Sequence, residues 1–228
     1  MKFYCIFAMS YKTNDLLIMA LNKPLGAHII FLQIADGKIV RQHKEATPET
    51  TQRTTKTGKV VHEEFFKDLT GYIRNITTKE NDYGKQWQIS FADGEDLYIV
   101  SMPYSSRYAA SFLKALPNVD AKEPVRFMPW SMIDKNDPMK KITGITMYQN
   151  DVKVLAAFTK EDPNGLPQMK KIKIKGKEQW DDSDMMEFLE ASAMDWQKGI
   201  QETLVKKEVA AIVEDAATAE SNPDDLPF

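Results

Sequence analysis

Apolar and polar positions alternate with a period of two through much of residues 27–159, and this predicts short strands. "AHIIFLQIADGKIVRQ" holds two apolar runs joined at Asp36-Gly37, a dipeptide suited to a two-residue hairpin turn. "LTGYIRNIT", "KQWQISF" and "DLYIVSM" read as three further strands, the last two joined at Asp93-Gly94. In "KQWQISF", Lys85, Trp87, Ile89 and Phe91 share one face, and Gln86, Gln88 and Ser90 share the other. "EPVRFMPWSMI", "KITGITMYQ" and "VKVLAAFT" continue the pattern, with a tight Asn150-Asp151 turn between the last two.

The period becomes helical in two places. In "PYSSRYAASFLKALPN" apolar or aromatic residues fall at 104, 108, 109, 112, 113 and 116, with Pro103 in the first turn and Pro117 just past the end. Later, Ser183 or Asp184 can cap a helix, with Glu187 three residues after Asp184 completing a capping box. Met185, Phe188, Leu189, Ser192, Trp196, Ile200 and Leu204 then lie on one stripe, which docks on the barrel or on a second subunit. Two stretches lack either period. "HKEATPETTQRTTKTGK" reads as a long exposed loop over 43–59, and the last ten or so residues read as disordered.

The order of these elements fits an OB-fold, a five-stranded Greek-key barrel with a helix after its third strand, although other small barrels give similar strings. The expected fold class is mainly β with additional helices (α+β). In detail it is an OB-fold-like five-stranded barrel with an N-terminal hairpin, a C-terminal helix and a disordered acidic tail. The expected organisation is a core over 1–180, an amphipathic helix over 181–206 and an acidic tail over 207–228.

Charge changes the picture through its distribution. The net charge is −3 over 228 residues. From Lys207 onward, Glu208, Glu214, Asp215, Glu220, Asp224 and Asp225 stand against a single base, so the preceding body is slightly basic. A basic body with an acidic tail hints at nucleic-acid work. The lone Cys5 excludes an internal disulfide and a cysteine metal cage. His28, His43 and His62 lie far apart, with no second ligand type at metal spacing. No metal and no cofactor is expected. There is no Gly-rich phosphate loop and no recognisable Ser/His/Asp arrangement, so nothing argues for an enzyme. The apolar start "FYCIFAM" is too short to span a bilayer and lacks a secretory cleavage pattern, which makes a cytoplasmic location the expectation.

A site for single-stranded nucleic acid needs cations that track phosphates and aromatic faces on which bases stack. Tyr72, Arg74 and Ile76 alternate on one face of "GYIRNIT", read as a groove lining, and Arg126, Met128 and Trp130 share a face of "VRFMPW" with Val125 and Phe127 opposite as core. Tyr98 and Tyr148 can add stacking surfaces, and Arg107 sits on the first helix. Lys85 and Trp87 share their face with Ile89 and Phe91, so for Trp87 a core position is favoured over a DNA contact. In "KKIKIKGK", Lys171, Lys173 and Lys175 alternate with Ile172 and Ile174. They are either phosphate contacts or the solvated face of an edge strand.

The chain ends "DDLPF", a large apolar side chain on a terminal carboxylate. Asp224, Asp225, Leu226, Pro227 and Phe228 resemble the tip of bacterial single-stranded DNA-binding proteins, whose consensus is Asp-Asp-Asp-Ile-Pro-Phe. Leu replaces Ile here, the acidic run is shorter, and no Gly/Gln-rich linker precedes it. Size and layout are more similar to single-stranded DNA-binding proteins of tailed phages. "YGKQWQISFADGE" and "LPNVD" look similar to replication proteins of phages infecting Bacteroidetes. The resemblance implies sequence-independent binding of single-stranded DNA in replication, recombination and repair. It also implies a phage-encoded protein working in a bacterial host cytoplasm and recruiting replication and recombination proteins through its tip. Phe228 offers an aromatic anchor and a carboxylate on one residue, Pro227 limits the entropy lost on docking, and the aspartates add steering. A DNA-independent adaptor or phage structural protein with the same docking tail is the alternative. The oligomeric state is left open by the sequence.

Overall fold

The computed structural model describes residues 28–55, 57–82, 84–174 and 177–200. The protein is mainly β with two helices, an α+β class. The strands are β1 (Ile29–Ala35), β2 (Lys38–His43), β3 (Thr51–Thr54), β4 (Val60–Phe66), β5 (Leu69–Asn81), β6 (Gly84–Asp93), β7 (Asp96–Pro103), β8 (Val125–Ile133), β9 (Lys141–Gln149), β10 (Val152–Lys153), β11 (Lys170–Ile174) and β12 (Lys177–Asp181). Helix α1 is Arg107–Ala115, and α2 covers 183–200. Ten strands form one sheet in the order β10-β9-β8-β5-β6-β7-β1-β2-β4-β3, and β11-β12 stands apart as a two-stranded hairpin. Strand pairing does not close the large sheet into the expected five-stranded barrel; β10 and β3 remain its two edges.

The sheet's inner face carries the core. Ile73, Ile76, Trp87, Ile89, Phe91, Val100, Met102, Val125, Phe127, Ile145 and Met147 are buried there, against Phe112, Leu113 and Leu116 from α1 and the turn after it. Each large apolar side chain so buried stabilises by about 1.5–3 kcal/mol. Phe127 joins the two layers, meeting Phe91 and Phe112 edge to face. In β5 the pairing steps from Ile73 opposite Phe91 to Asn75 opposite Ser90, which leaves Arg74 as the extra residue of a β-bulge. The bulge shifts the alternation by one residue, so that Gly71, Ile73 and then Ile76 all face inward.

Ser106 caps α1 by accepting from the Ala109 N–H. Pro103, expected inside the helix, is instead the last residue of β7. Ser111 Oγ accepts from the N–H of Ile145 and donates to its carbonyl, so α1 satisfies a stretch of β9 where another strand would pair. The cross-strand partner of Ile145 is Pro129. Since the Ile145 backbone groups point away from β8, Pro129 costs no ladder bond there.

The N-terminal hairpin has the expected turn. Asp36 and Gly37 both have positive φ, 48° and 76°, as a two-residue type I′ turn requires. Its tip packs on β8, where a Cβ on Gly37 would lie 2.4 Å from the backbone nitrogen of Ser131. Tyr108 on α1 accepts the Gly37 N–H at 2.8 Å, and Lys141 pairs with Asp36 at 2.7 Å.

The segment expected as a long loop over 43–59 contains β3, which pairs antiparallel with β4. Arg53 holds it there through Glu63, a carboxylate buried beneath the strand pair. The expected capping box of α2 does not form. Asp181 accepts from the backbone and side chain of Ser183, and Asp184 pairs with Lys170 instead. Helix α2 packs on the core of its own chain through Met185, Met186, Leu189 and Ala193, a stripe rotated from the expected one. Leu204 and the acidic tail fall outside the described residues.

Gly37→Ala meets two penalties, a left-handed φ and a backbone clash. It should destabilise the protein by about 2 kcal/mol, read as a lower urea midpoint. Gly94→Ala, with a positive φ but nothing within contact of its Cβ, should cost less.

Candidate nucleic-acid interface

Residues opposite one another on paired strands point to the same side, so register reveals the composition of the solvent face. One row reads Tyr72, Ala92, Leu97, Ile29 across β5, β6, β7 and β1. The next reads Asn75, Ser90, Ile99, Phe31. A third reads Thr77, Gln88, Ser101, Gln33, Val40, Phe65 and reaches β4. The same face continues over β8 and β9, where Arg126 opposes both Thr70 and Tyr148, and Trp130 opposes Gly144. These rows mix polar groups with the aromatics Tyr72, Phe31 and Phe65 and the aliphatics Ala92, Leu97, Ile29 and Ile99, and Val40 within the third is buried.

Cations lie on several of these rings. The Arg74 guanidinium is 5.1 Å from the Tyr72 ring, and Tyr72 is 36% exposed. Arg126 lies 6.0 Å from the Tyr148 ring, and Lys38 lies 5.6 Å from Phe65. Arg126 also forms an ion pair with Asp68 at 2.8 Å, which raises its pKa further. Arg74 differs. Its Nε is buried with no hydrogen-bond partner among the described residues. Burial lowers its pKa, and the Tyr72 hydroxyl partly opposes that. A guanidinium stays charged under such a shift, so Arg74 is a partly buried cation whose Nε is an orphaned donor.

Seven other expected residues have different surroundings. Trp87 is 1% exposed and stacks on Tyr104 at 5.5 Å with planes 6° apart, so neither of its faces is offered to a base. Tyr98 packs against the core edge, where burial and the neighbouring Asp96 raise its pKa. Lys85 is held by both oxygens of Glu190 on α2, at 2.9 and 2.6 Å. Arg107 donates to the Lys141 carbonyl. The Trp130 indole lies across Gly144, where an added Cβ would come within 2.6 Å of it. Its position is structural as well as partly exposed. Lys171 and Lys173 sit on the separate β11–β12 hairpin, Lys171 beside Glu178. Lys175 and the tip residues Asp224, Asp225, Leu226, Pro227 and Phe228 lie outside the described residues.

Four exposed aromatics were not among the expected residues: Phe31, Phe65, Phe66 and Trp180. Phe31 is 63% exposed, and the alternation in "IIFLQIA" could have placed it outward. Phe65 belongs to β4, whose "VVHEEFF" has no clean period. Trp180 stands on β12. Among the described residues no three His, Cys, Asp or Glu side chains are grouped to hold a metal ion. Also among these residues, no helix is long and apolar enough to cross a membrane.

Glu190 ties α2 to the sheet by accepting from Lys85, Tyr104 and Thr78. Burial alone would push its carboxyl up, but these hydrogen bonds outweigh it and hold the pKa below its ordinary 4.5. Burial and this same carboxylate push the Tyr104 hydroxyl well above its usual range. A carboxylate with a lowered folded-state pKa stabilises fully above its unfolded value and loses that effect as pH falls through the folded one. Glu190→Gln should therefore lower the denaturation midpoint at pH 7, and the gap to wild type should narrow below about pH 4, as read by urea titration at several pH values.

No family model, no curated protein and no solved structure matches this chain.

Proposed function

We propose that this protein binds single-stranded DNA without sequence preference on the solvent face of its sheet and recruits partner proteins through the Asp224–Phe228 tip. The observation that carries the reading is the pairing of a partly buried Arg74 guanidinium with the exposed Tyr72 ring on the solvent side of β5. The guanidinium supplies a positive charge for a phosphate, and the ring supplies a stacking face. Uncharged Gln88, Ser90 and Ser101 beside it suit a backbone that passes without base-specific contacts.

In this reading β5–β9 with α1 is an OB-like unit. Three meandering strands are followed by a helix and two more strands, and the first strand pairs with the fourth through Thr70 and Arg126. β1–β4 are added to its third strand. A role in replication, recombination and repair, and a phage origin, rest on the resemblance of the tip and the layout. A second reading, a DNA-independent adaptor, is favoured by a different observation. Arg126, Lys85, Lys141 and Lys170 are each already paired with a carboxylate, which a phosphate would have to displace.

Titration with oligo-dT and with duplex of equal length, at low and moderate salt, separates the two. Tight, salt-sensitive binding to the single strand is expected, with weaker binding to duplex. Tyr72→Ala/Arg74→Ala should weaken oligo-dT binding on the order of tenfold and reduce the salt slope by about one. No binding by the full chain or by a chain lacking 221–228 would sink the reading in favour of the adaptor. Deleting 221–228 should tighten DNA binding at low salt, because a tethered anion competes for the cationic face at high effective concentration. The same deletion should abolish partner recruitment, measured by pull-down with replication proteins.

A further inference from the structure

Trp180 is 61% exposed, the most open of the four tryptophans: Trp87 is core, Trp130 crosses Gly144, and Trp196 donates to the Val119 carbonyl. It stands on a hairpin separate from the main sheet, anchored by Lys170–Asp184. Directly across the hairpin, the Lys171 ammonium is 5.3 Å from the indole centroid. A groove of about 580 Å³ runs between this hairpin and α1, lined by Arg107, Lys114, Met169, Trp180 and Met185 with Asp182 as its acid. A second cavity of about 330 Å³ shares Lys114, Met169, Trp180 and Met185 and adds Lys160, so the groove continues past the indole.

We propose that this groove is a second stacking tract for single-stranded nucleic acid, with Trp180 as the base platform and Arg107 and Lys114 as phosphate contacts. The proposal rests on the nucleic-acid reading of the sheet face and extends it to a surface contributed by α1 and the hairpin. The volume suits a nucleotide unit. Its length suits a chain that enters and leaves. Bases outnumber the single acid along the two cavities, complementing a polyanion. The groove is open and its most exposed apolar surface is a flat indole, which suits a stacked base better than a peptide side chain that needs enclosure. Arg107 uses one N–H on the Lys141 carbonyl, and its remaining donors are available to a phosphate.

The test uses the full chain with oligo-dT of roughly 8 and roughly 30 nucleotides, since one OB-type unit covers only a short tract. Trp180→Ala should leave the short oligonucleotide's affinity unchanged and lower the long one's on the order of tenfold, with Trp180→Tyr restoring it. Arg107→Ala/Lys114→Ala should reproduce the length-dependent loss, and it carries the test if circular dichroism shows Trp180→Ala misfolded. Unchanged affinity for the long oligonucleotide, or equal losses at both lengths, overturns the tract. Loss of acidic-peptide binding with oligo-dT binding intact assigns the groove to a peptide and overturns it too. A wild-type chain that binds neither length removes the sheet-face reading itself, and this inference with it.

Discussion

The contact between the Asp36-Gly37 turn and β8 holds the architecture together. Strand pairing alone leaves an open sheet, and the hairpin tip joins parts of it far apart in strand order. Gly37 lies against the Trp130–Ser131 backbone, Tyr108 takes its N–H, and Lys141 takes Asp36. Hairpin, α1 and the β8–β9 pair thus meet at one point. Only glycine fits, because the turn needs positive φ and the neighbouring backbone occupies the space of a Cβ. The same economy recurs at Gly144, where absence of a side chain lets the Trp130 indole lie flat across the strand pair.

That junction also determines which aromatics remain on the surface. Trp130 is partly used by the fold, and Trp87 is entirely used, stacked on Tyr104, whose hydroxyl donates to Glu190 of α2. The Lys85–Glu190–Tyr104 cluster closes the same end and consumes the lysine that sequence alternation places beside Trp87. What remains outward is Tyr72 with Arg74, Tyr148 with Arg126 and Phe65 with Lys38. These ring-and-cation pairs are the features on which the proposed single-strand binding rests.

The β-bulge links core packing to the proposed site most directly. Its extra residue keeps Ile76 in the core after Ile73, and that extra residue is Arg74. A regular strand would have sent Ile76 outward. The bulge therefore serves core packing and presents a guanidinium outside the normal alternation, where its Nε loses water without gaining a partner.

The sequence by itself determined the features governed by neighbouring residues. The Asp36-Gly37 turn, the strands of β6 and β8 and the apolar stripe of α1 follow from turn chemistry and period, which act over a few positions. The solvent-facing Tyr72 and Arg126 were legible for the same reason. The tertiary structure decided everything that depends on a distant partner. Trp87 became core because Tyr104 stacks on it, β3 formed because Arg53 reaches Glu63, and α2 turned its Met186–Ala193 stripe inward because the core lies there. The open groove beside Trp180 has no local signature, since it exists only where a separate hairpin meets α1. Local sequence sets which conformations are favourable; burial by segments far along the chain sets which side chains are left to meet a ligand.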